Sequence, residues 1–400
     1  MIDFNREIWI TGLGCVTPHG LDAKSFFRAV AAGVPCEQGG FAQRKFPVVY
    51  IDEENFLTRR ISDKRSRIGK DYRRAYALEA AYRARHDAGL DDENSIGCTI
   101  SCARPTLGRD QQWFNALECL RRGEDTSDFN VPIAGSVEVP GEYVFGRLAL
   151  EGIALSTQGG CVTGLLSILT ACRMIVQGQA ERVLAGAVEV VPEKLFLAGY
   201  HSMKVLTESF EEFRPYHRLR NGFFISEGAG VVMLESAESA KKRGKKPYAV
   251  IEDWCSLADA HGMTSMDPKG ITIKEIIKRL TKNGGISLDY INTHGTATRM
   301  NDQIESKAIY DVLGTKVPCS SIKPQTGHML GASSVMEVIA TALAVNQDIV
   351  PPTIRIDDTD IGYGLDYIPN QARSVCVKRA VSLSYGFGGV MAGILLKKYE

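Results

Sequence analysis

The chain has 400 residues, 44% of them hydrophobic and 24% charged, and its 47 basic side chains balance 47 acidic ones. A chain of this length can bury a large core, and it is expected to form two domains or one duplicated unit. The formal net charge of +0 argues against nucleic acid or another polyanion as the main partner.

The composition also argues against two further classes of protein. The ten cysteines show no Cys-x-x-Cys pair and no Cys/His cluster, so we predict no metal site. No stretch approaches the roughly 18 consecutive apolar residues that a membrane-spanning helix needs, and Met1 to Glu7 carry acids in place of the apolar core of a signal peptide. We therefore expect a cytosolic protein with reduced thiols.

The first elements in chain order are a strand at residues 8–14, a helix at 70–89 and a strand at 97–102. The Gly-x-Gly that ends the first strand does not continue into a dinucleotide fingerprint, because Thr17 fills the place of the last glycine. Residues 103–140 are polar and rich in turn formers, which indicates an excursion from the sheet that builds a partner or substrate surface.

Strands and helices continue to alternate to the end of the chain. A helix that is apolar on every face follows Cys161, which places it in the centre of a large protein. The alternation predicts an α/β fold with largely parallel sheets covered by helices. A helix at 236–246 ends in a basic run, where we divide the chain into halves 1–240 and 241–400. The remaining predicted strands lie at 182–188, 231–234, 248–252, 289–292, 381–384 and 392–396, and the remaining helices lie at 273–280 and 332–345.

Two glycine-bracketed segments offer a thiol and an imidazole. Cys161 and His328 lie 167 positions apart (328 minus 161), and each stands at the start of an apolar helix. If the chain consists of two copies of one α/β unit, these helix starts meet at a shared centre. A helix N-terminus favours a thiolate, and glycines beside Cys161 let a substrate approach the backbone. The alternative is that Cys161 is an inert buried cysteine, as we expect of Cys172.

The histidines have a structural alternative as well. His294 follows an apolar strand, and ligands bind at the strand ends of parallel sheets. His328, held neutral by burial and a helix dipole, would donate a hydrogen bond from Nε2 to a developing oxyanion. Any single histidine is more often a satisfied structural residue, which is the interpretation given to His19, His86, His201 and His217.

Taken together, several segments resemble the β-ketoacyl-acyl carrier protein synthases, the condensing enzymes of the thiolase superfamily. The resemblance runs along essentially the whole chain and indicates the Cys-His-His type, because the third position is His328. It implies a thiolase-like, five-layered αβαβα fold of two duplicated halves. Besides the Gly-Cys helix, the segments are Ile10 to Gly14, Arg214-Pro215, Gly222-Phe223, Glu227 to Gly230, Asn292 to Thr298, Ser321 to Gly331, Pro351-Pro352-Thr353 and Tyr385 to Gly389.

The resemblance implies a role for each of these residues. Cys161 would accept an acyl group, and a malonyl extender would then lose carbon dioxide and attack that thioester in a Claisen condensation. His294 and His328 would stabilise the enolate, while the backbone amides of Cys161 and Phe387 would form the oxyanion hole. A buried lysine needs an acidic partner, and Lys323 would take Glu305.

The resemblance also implies substrates and partners. Both substrates would be carried on the phosphopantetheine of an acyl carrier protein, with no resident cofactor. Thr296 and Thr298 would hydrogen-bond the pantetheine arm, and Phe387 would gate the acyl pocket. The protein would be a homodimer, or a heterodimer with a related subunit. The basic residues Arg59, Arg60, Lys64, Arg65 and Arg67 would suit an acidic carrier protein, although a solvated surface is the simpler interpretation.

The chain departs from the family pattern near the expected site. Gly159-Gly160 replaces Thr-Ala before the cysteine, His217 and Asn221 replace aspartates, and Val390-Met391 replaces Thr-Asn. These changes favour a specialised polyketide or unusual-lipid pathway over bulk fatty-acid elongation.

Two other functions remain open. A chain-length-factor-like partner subunit would not be catalytic, but such subunits typically lose the cysteine that is retained here. A thiolase-like acyltransferase using coenzyme A would have a second catalytic cysteine in the Gly-Phe-Gly-Gly segment, and this chain has none there.

Overall fold

The computed structural model describes residues 6–38, 41–43, 48–51, 72–105, 118–124, 139–192 and 194–400. The basic cluster from Arg59 to Arg67 lies outside the described residues, as does most of the predicted excursion at 103–140. The end of the predicted excursion, residues 139 and 140, belongs to the helix Val139–Arg147.

Strands and helices alternate through the described chain, and most of those predicted from the sequence are present with shifted ends. The strands are β1 Ile8–Val16, β2 Phe41–Gln43, β3 Val48–Tyr50, β4 Gly97–Ser101, β5 Arg182–Glu189, β6 Ile225–Ser226, β7 Gly228–Ser236, β8 Ala249–Ala258, β9 Tyr290–Asn292, β10 Cys319–Ser320, β11 Ile349–Val350, β12 Arg373–Ser374, β13 Arg379–Tyr385 and β14 Val390–Lys397. The α-helices are α1 Ala23–Ala31, α2 Tyr72–Ala88, α3 Val139–Arg147, α4 Thr163–Val176, α5 Lys194–Ser202, α6 Ala237–Lys242, α7 Ile271–Leu280, α8 Arg299–Leu313, α9 Lys323–Thr326 and α10 Ser333–Gln347.

The main sheet of the described residues has nine strands in the order β10-β9-β13-β14-β8-β1-β7-β5-β4. Read outward from the centre, its two halves have the same pattern of strand pairings. In the first half β1 pairs with β7 and β7 with β5, both antiparallel, and β5 pairs with β4 in parallel. The second half repeats this with β8, β14, β13 and β9. The halves join where β1 runs antiparallel to β8, with Ile8 opposite Ile251. The predicted duplication is confirmed.

The prediction of largely parallel sheets is wrong. In each half three neighbouring strands run antiparallel to one another, β1-β7-β5 in the first and β8-β14-β13 in the second. Only the short loop from Gly386 to Gly389 separates β13 from β14. A connection this short can join only antiparallel strands, because a parallel crossover needs a dozen or more residues. Helix–strand alternation in the sequence does not show where two strands follow each other directly.

The five layers implied by the family resemblance are confirmed. Helices α4 and α10 contact each other and lie between the two half-sheets, since α4 also contacts β5 and β14 while α10 contacts β13 and β7. Helices α2 and α3 cover the outer face of the first half, and α7, backed by α8, covers the second. The central helices are the two that carry Cys161 and His328 at their starts.

Close packing of the central helices depends on glycine. A Cβ on Gly164 would lie 2.9 Å from Val335 Cβ and 3.0 Å from the Gly331 carbonyl oxygen. Every residue from Ser333 to Val345 is buried, as the apolar run that follows His328 predicts. The two helix starts therefore meet in the centre of the core.

We keep the division into residues 1–240 and 241–400 as a proposal, supported by the mirrored strand order. In the described part of the chain, no helix has the length and apolar character to cross a membrane.

Candidate active site

Cys161 lies on a tight turn that leads into α4. Residues Gly160–Val162 form one 3-10 turn, and Gly160 has a φ of 57°, a conformation that favours glycine. A Cβ on Gly386 would lie 2.5 Å from the Gly159 carbonyl oxygen, so Gly386 lets the β13–β14 loop pass close to the nucleophile. The Cys161 side chain is buried at the base of a cavity.

His328 faces the thiol. Its Nε2 lies 3.5 Å from Cys161 Sγ, and its Nδ1 lies 3.0 Å from the Leu330 amide nitrogen. Because Nδ1 accepts the Leu330 N–H, the proton of the neutral imidazole is on Nε2. The structure thus brings together the two residues that the sequence placed 167 positions apart, with an N–H directed at the sulfur.

His294 has the same tautomer for a different reason. Its Nδ1 lies 3.3 Å from Lys323 Nζ, which as an ammonium can only donate, so Nε2 carries the proton. The His294 and His328 rings meet edge-on with centroids 6.0 Å apart. Two N–H donors therefore converge on the space beside Cys161.

The expected pairing of Lys323 with Glu305 is wrong. Lys323 is fully buried, and its ammonium donates to Glu337 and to the His294 carbonyl oxygen. Glu337 extends from α10 and also accepts from Ser384 Oγ at 3.0 Å. The sequence signal for Glu337 was a lone carboxylate in an otherwise nearly apolar helix.

Glu305 instead supports the turn that carries His294. Its carboxylate accepts the backbone N–H groups of His294 at 2.8 Å and Gly295 at 2.9 Å, and the Tyr216 hydroxyl at 3.0 Å. These neutral donors satisfy the buried acid on α8, whereas the lysine is directed toward α10. Glu305 thus acts on His294 through the backbone.

Burial sets the protonation states of the site. Desolvation, reinforced by the charge of Lys323, lowers the pKa of both His294 and His328 well below the usual value. Desolvation raises the pKa of Cys161 to about 12, and Lys323 acts in the opposite direction. The imidazoles are therefore neutral donors. The resting sulfur is a thiol, not the thiolate expected from its place at a helix start.

The site opens into a cavity of about 330 Å³. Thr296 and Thr298 line its wall with their hydroxyl oxygens 3.0 Å apart, and Phe387, 38% exposed, lies on the loop beside Gly160. Five methionines complete this wall: Met203, Met263, Met266, Met300 and Met391. Sequence reasoning singled out Met391 alone and missed the other four, because they form no pattern along the chain.

Two of the departures from the family pattern pack together. A Cβ on Gly159 would lie 2.5 Å from Leu166 Cδ1 and 3.5 Å from Val390 Cγ1. A larger residue at 159 would collide with Leu166, so the glycine and the two apolar side chains fit one another. Asn221 and Met391 line the cavity itself.

A buried thiol and two neutral imidazoles at the base of a cavity, set between the halves of a duplicated α/β fold, define a thiolase-like condensing enzyme. The Beta-ketoacyl synthase N-terminal domain matches residues 5–240, and the C-terminal domain of the same family matches residues 248–357. The chain belongs to the beta-ketoacyl synthase family.

Curated relatives and solved structures agree with this assignment. The chain is 32% identical to 3-oxoacyl-[acyl-carrier-protein] synthase 2 of Coxiella burnetii over 98% of this chain and 99% of that one. It is 29% identical to the tetracenomycin polyketide synthase ketoacyl synthase alpha subunit of Streptomyces glaucescens over 98% and 97%. A structure of a type II polyketide synthase acyl-carrier protein in complex with its ketosynthase matches with a TM-score of 0.84 and 27% identity, covering 99% of this chain and 100% of that one.

Proposed function

We propose that the chain is a β-ketoacyl-acyl carrier protein synthase that condenses an acyl group held on Cys161 with a malonyl-carrier protein. The observation that carries the proposal is the approach of His328 Nε2 to within 3.5 Å of Cys161 Sγ, with His294 presenting a second N–H beside it. This distance supports the proposal, because nucleophilic catalysis needs a nucleophile with a positioned hydrogen-bonding partner within reach.

The first stage is acyl transfer. Cys161 Sγ attacks the thioester carbonyl of the incoming acyl group, an S–C bond forms, and the bond to the pantetheine sulfur breaks. The thiol proton of Cys161 leaves with the pantetheine as its thiol. Because burial raises the pKa of Cys161 to about 12, loss of this proton accompanies the attack on the thioester rather than preceding it.

The second stage is decarboxylation of the extender. The bond between the malonyl carboxylate and C2 breaks and carbon dioxide leaves. The electron pair of that bond stays on C2 and forms the enolate. The Nε2–H groups of His294 and His328 donate to the enolate oxygen. Their neutral state suits this role, because a neutral donor stabilises the anion without giving up its proton.

The third stage forms the carbon–carbon bond. The enolate C2 attacks the acyl-Cys161 carbonyl, and the tetrahedral oxyanion accepts the backbone N–H groups of Cys161 and Phe387. The intermediate collapses by breaking the S–C bond, which releases the β-ketoacyl-carrier protein. The Cys161 sulfur leaves with the electron pair and takes up a proton from solvent, which restores the resting thiol. Loss of one oxyanion donor costs about 10²- to 10³-fold in turnover.

Lys323 and Glu305 are positioning residues in this mechanism. Lys323 donates toward His294 Nδ1 and so keeps the second proton off the ring, while Glu305 holds the His294 backbone. Thr296 and Thr298 line the route to the thiol and are proposed to hydrogen-bond the pantetheine arm. No resident cofactor enters the reaction, since both substrates arrive on phosphopantetheine.

We propose that the protein acts as a dimer. Residues 153–155 pair with β4 through the Leu155 N–H to the Cys98 carbonyl, and no strand of the described residues pairs with their outer side. Ile153 and Leu155 are exposed apolar residues on this edge. An uncovered apolar edge is a template for pairing with another chain, either a second copy or a related subunit.

The pathway is proposed to be specialised polyketide or unusual fatty-acid synthesis in the cytosol. The proposal is supported by the packing of two departures from the family pattern, Gly159 and Val390, with Leu166, and by the methionine-lined cavity, since flexible methionines adapt to irregular substrates. The acyl-carrier protein is the proposed partner for both substrates.

The rival proposal of a non-catalytic chain-length-factor-like subunit is tested by a substitution at the nucleophile. Cys161→Gln should abolish condensation and retain decarboxylation of malonyl-carrier protein, because both histidines and Lys323 remain. Intact-mass analysis of the wild-type protein with acyl-carrier protein should show one acyl adduct on Cys161. The enzyme proposal fails if no acyl donor gives an adduct while the chain restores activity to a separate synthase.

A further inference from the structure

A row of hydrogen-bonded pairs between basic side chains and aspartates lies beside the active site and has no role in the mechanism above. It joins residues 216–221 to residues 357–360 in one register, with partners 140 positions apart. We call this row the charge clamp. Its pairs are His217 with Asp357, Arg218 with Asp358, and Arg220 with Asp360.

The first pair of the charge clamp contains His217, which stands where the family pattern has an aspartate. His217 Nε2 lies 2.7 Å from Asp357 Oδ1, and His217 Nδ1 lies 2.9 Å from the Leu219 amide nitrogen. Because Nδ1 accepts the Leu219 N–H, Nε2 carries the proton and donates it to the carboxylate. The imidazole is 4% exposed and bonded at both nitrogens, so its orientation is fixed.

The neighbouring residue connects the charge clamp to His294. Tyr216 has a φ of 66°, a strained value for a bulky side chain, and the contacts around it hold it there. Its N–H donates to Asp302 at 2.8 Å, and its hydroxyl bonds to Glu305 at 3.0 Å. Glu305 accepts the His294 N–H, so a displacement of Tyr216 reaches His294 through a single carboxylate.

The other end of the same segment contacts His328. The Phe223 ring packs against the His328 ring with centroids 4.5 Å apart, and Gly222 N–H donates to the Ala297 carbonyl at 2.9 Å. Asn221, Gly222 and Phe223 line the cavity. One segment therefore supports both active-site histidines.

We propose that His217 and Asp357 are a matched positioning pair that holds residues 216–223 against His294 and His328, an inference that rests on the proposed function. An aspartate at position 217 would face the Asp357 carboxylate with no proton to share. The histidine of this chain supplies both the acceptor that the turn at Leu219 needs and the donor that Asp357 needs.

The test separates the two nitrogens of His217. In His217→Asn the amide oxygen can replace Nδ1, but the side chain is too short to reach Asp357. In His217→Gln the amide nitrogen can replace Nε2 and keep the bond to Asp357. Asp357→Ala removes the acceptor, an exposed carboxylate bonded to a buried imidazole, and Arg218→Ala removes the adjacent pair, in which both side chains are exposed, as a matched control.

We expect His217→Asn and Asp357→Ala each to lower kcat for condensation by about three- to tenfold with KM within about twofold, because neither residue touches substrate but a small misplacement of the histidines slows chemistry. The double variant should lose no more than either single variant. His217→Gln and Arg218→Ala should stay within about twofold of wild type. Additive losses, a slow His217→Gln, or unchanged Asp357→Ala would overturn the inference.

Alkylation of Cys161 by iodoacetamide provides the second measurement. It needs no carrier protein, and its rate depends on the position of the His328 ring beside the thiol. The alkylation rate should follow the same pattern across the variants. If wild type does not condense but the pattern of alkylation holds, the proposed function fails and the positioning pair stands. If wild type condenses and all variants match it in both assays, the positioning pair is refuted and the proposed function stands.

Discussion

The buried pair of Lys323 and Glu337 gives the sharpest energetic test of the site. Glu337→Gln keeps the shape of the side chain and its contact with Ser384, but leaves the Lys323 ammonium without a counter-charge in a site where neither side chain reaches water. Breaking a buried ion pair by removing one partner costs about 3–5 kcal/mol. We therefore expect the free energy of unfolding to fall by that amount.

The double-mutant cycle decides which acid is the partner of Lys323. Lys323→Met with Glu337→Gln removes both charges, and such replacements are often neutral, so the two substitutions should couple by more than about 2 kcal/mol. Glu305→Gln serves as the matched control, because the buried Glu305 carboxylate accepts from backbone amides and a hydroxyl. Its coupling with Lys323→Met should be clearly smaller.

Urea unfolding followed by circular dichroism measures each free energy, and single-turnover condensation measures activity in the same samples. Lys323→Met with Glu337→Gln should be stable but slow, because His294 loses the donor at Nδ1. If Glu337→Gln unfolds at the wild-type urea concentration, or if Glu305 couples to Lys323 more strongly than Glu337 does, the assignment of the ion pair is refuted.

Three further predictions follow from burial and packing. Gly164→Ala should lower the free energy of unfolding in urea by about 1–3 kcal/mol, because the new Cβ would meet Val335 and the backbone. Gly199→Ala, in open space on α5, should be neutral or stabilising. Equal effects of the two substitutions would contradict the packing argument. The pKa values of His294 and His328 are depressed in the folded protein, so as pH falls below about 6.5 the unfolded chain takes up protons that the folded chain does not. The free energy of unfolding should then fall by up to about 1.4 kcal/mol per pH unit for each imidazole. A constant free energy of unfolding from pH 6.5 to 5 in urea titrations would contradict this. Alkylation of Cys161 by iodoacetamide should accelerate about tenfold per pH unit from pH 7 to 10, and a plateau below pH 9 would show a thiolate.

Much of the site could be predicted from the sequence because its chemistry is local. Cys161 and His328 each stand in a glycine-bracketed turn before an apolar helix, and a helix that is apolar all round must lie in the centre of the protein. Two central helices of a duplicated fold pack on each other, so their starts meet. That reasoning used residue types and spacing and assumed the duplication, while the roles of the other site residues were what the family resemblance implied.

The errors come from contacts that the sequence does not encode locally. The partner of Lys323 depends on whether its side chain is directed toward α8 or α10, which only the packing decides. The direction of β14 relative to β13 depends on the length of a loop, not on the hydrophobic pattern. The thiol state of Cys161 reflects burial, which outweighs the helix start that suggested a thiolate. The methionine-lined wall is assembled from distant segments.

The most direct test of the central claim is a single turnover that starts from isolated acyl-Cys161 enzyme and malonyl-carrier protein. Intact-mass measurement should show the acyl mass leaving the enzyme at the rate at which β-ketoacyl-carrier protein and an equal amount of carbon dioxide appear. An acyl group that stays on Cys161 while carbon dioxide is released, or that leaves by hydrolysis without a β-ketoacyl product, would contradict the claim that this site forms the carbon–carbon bond.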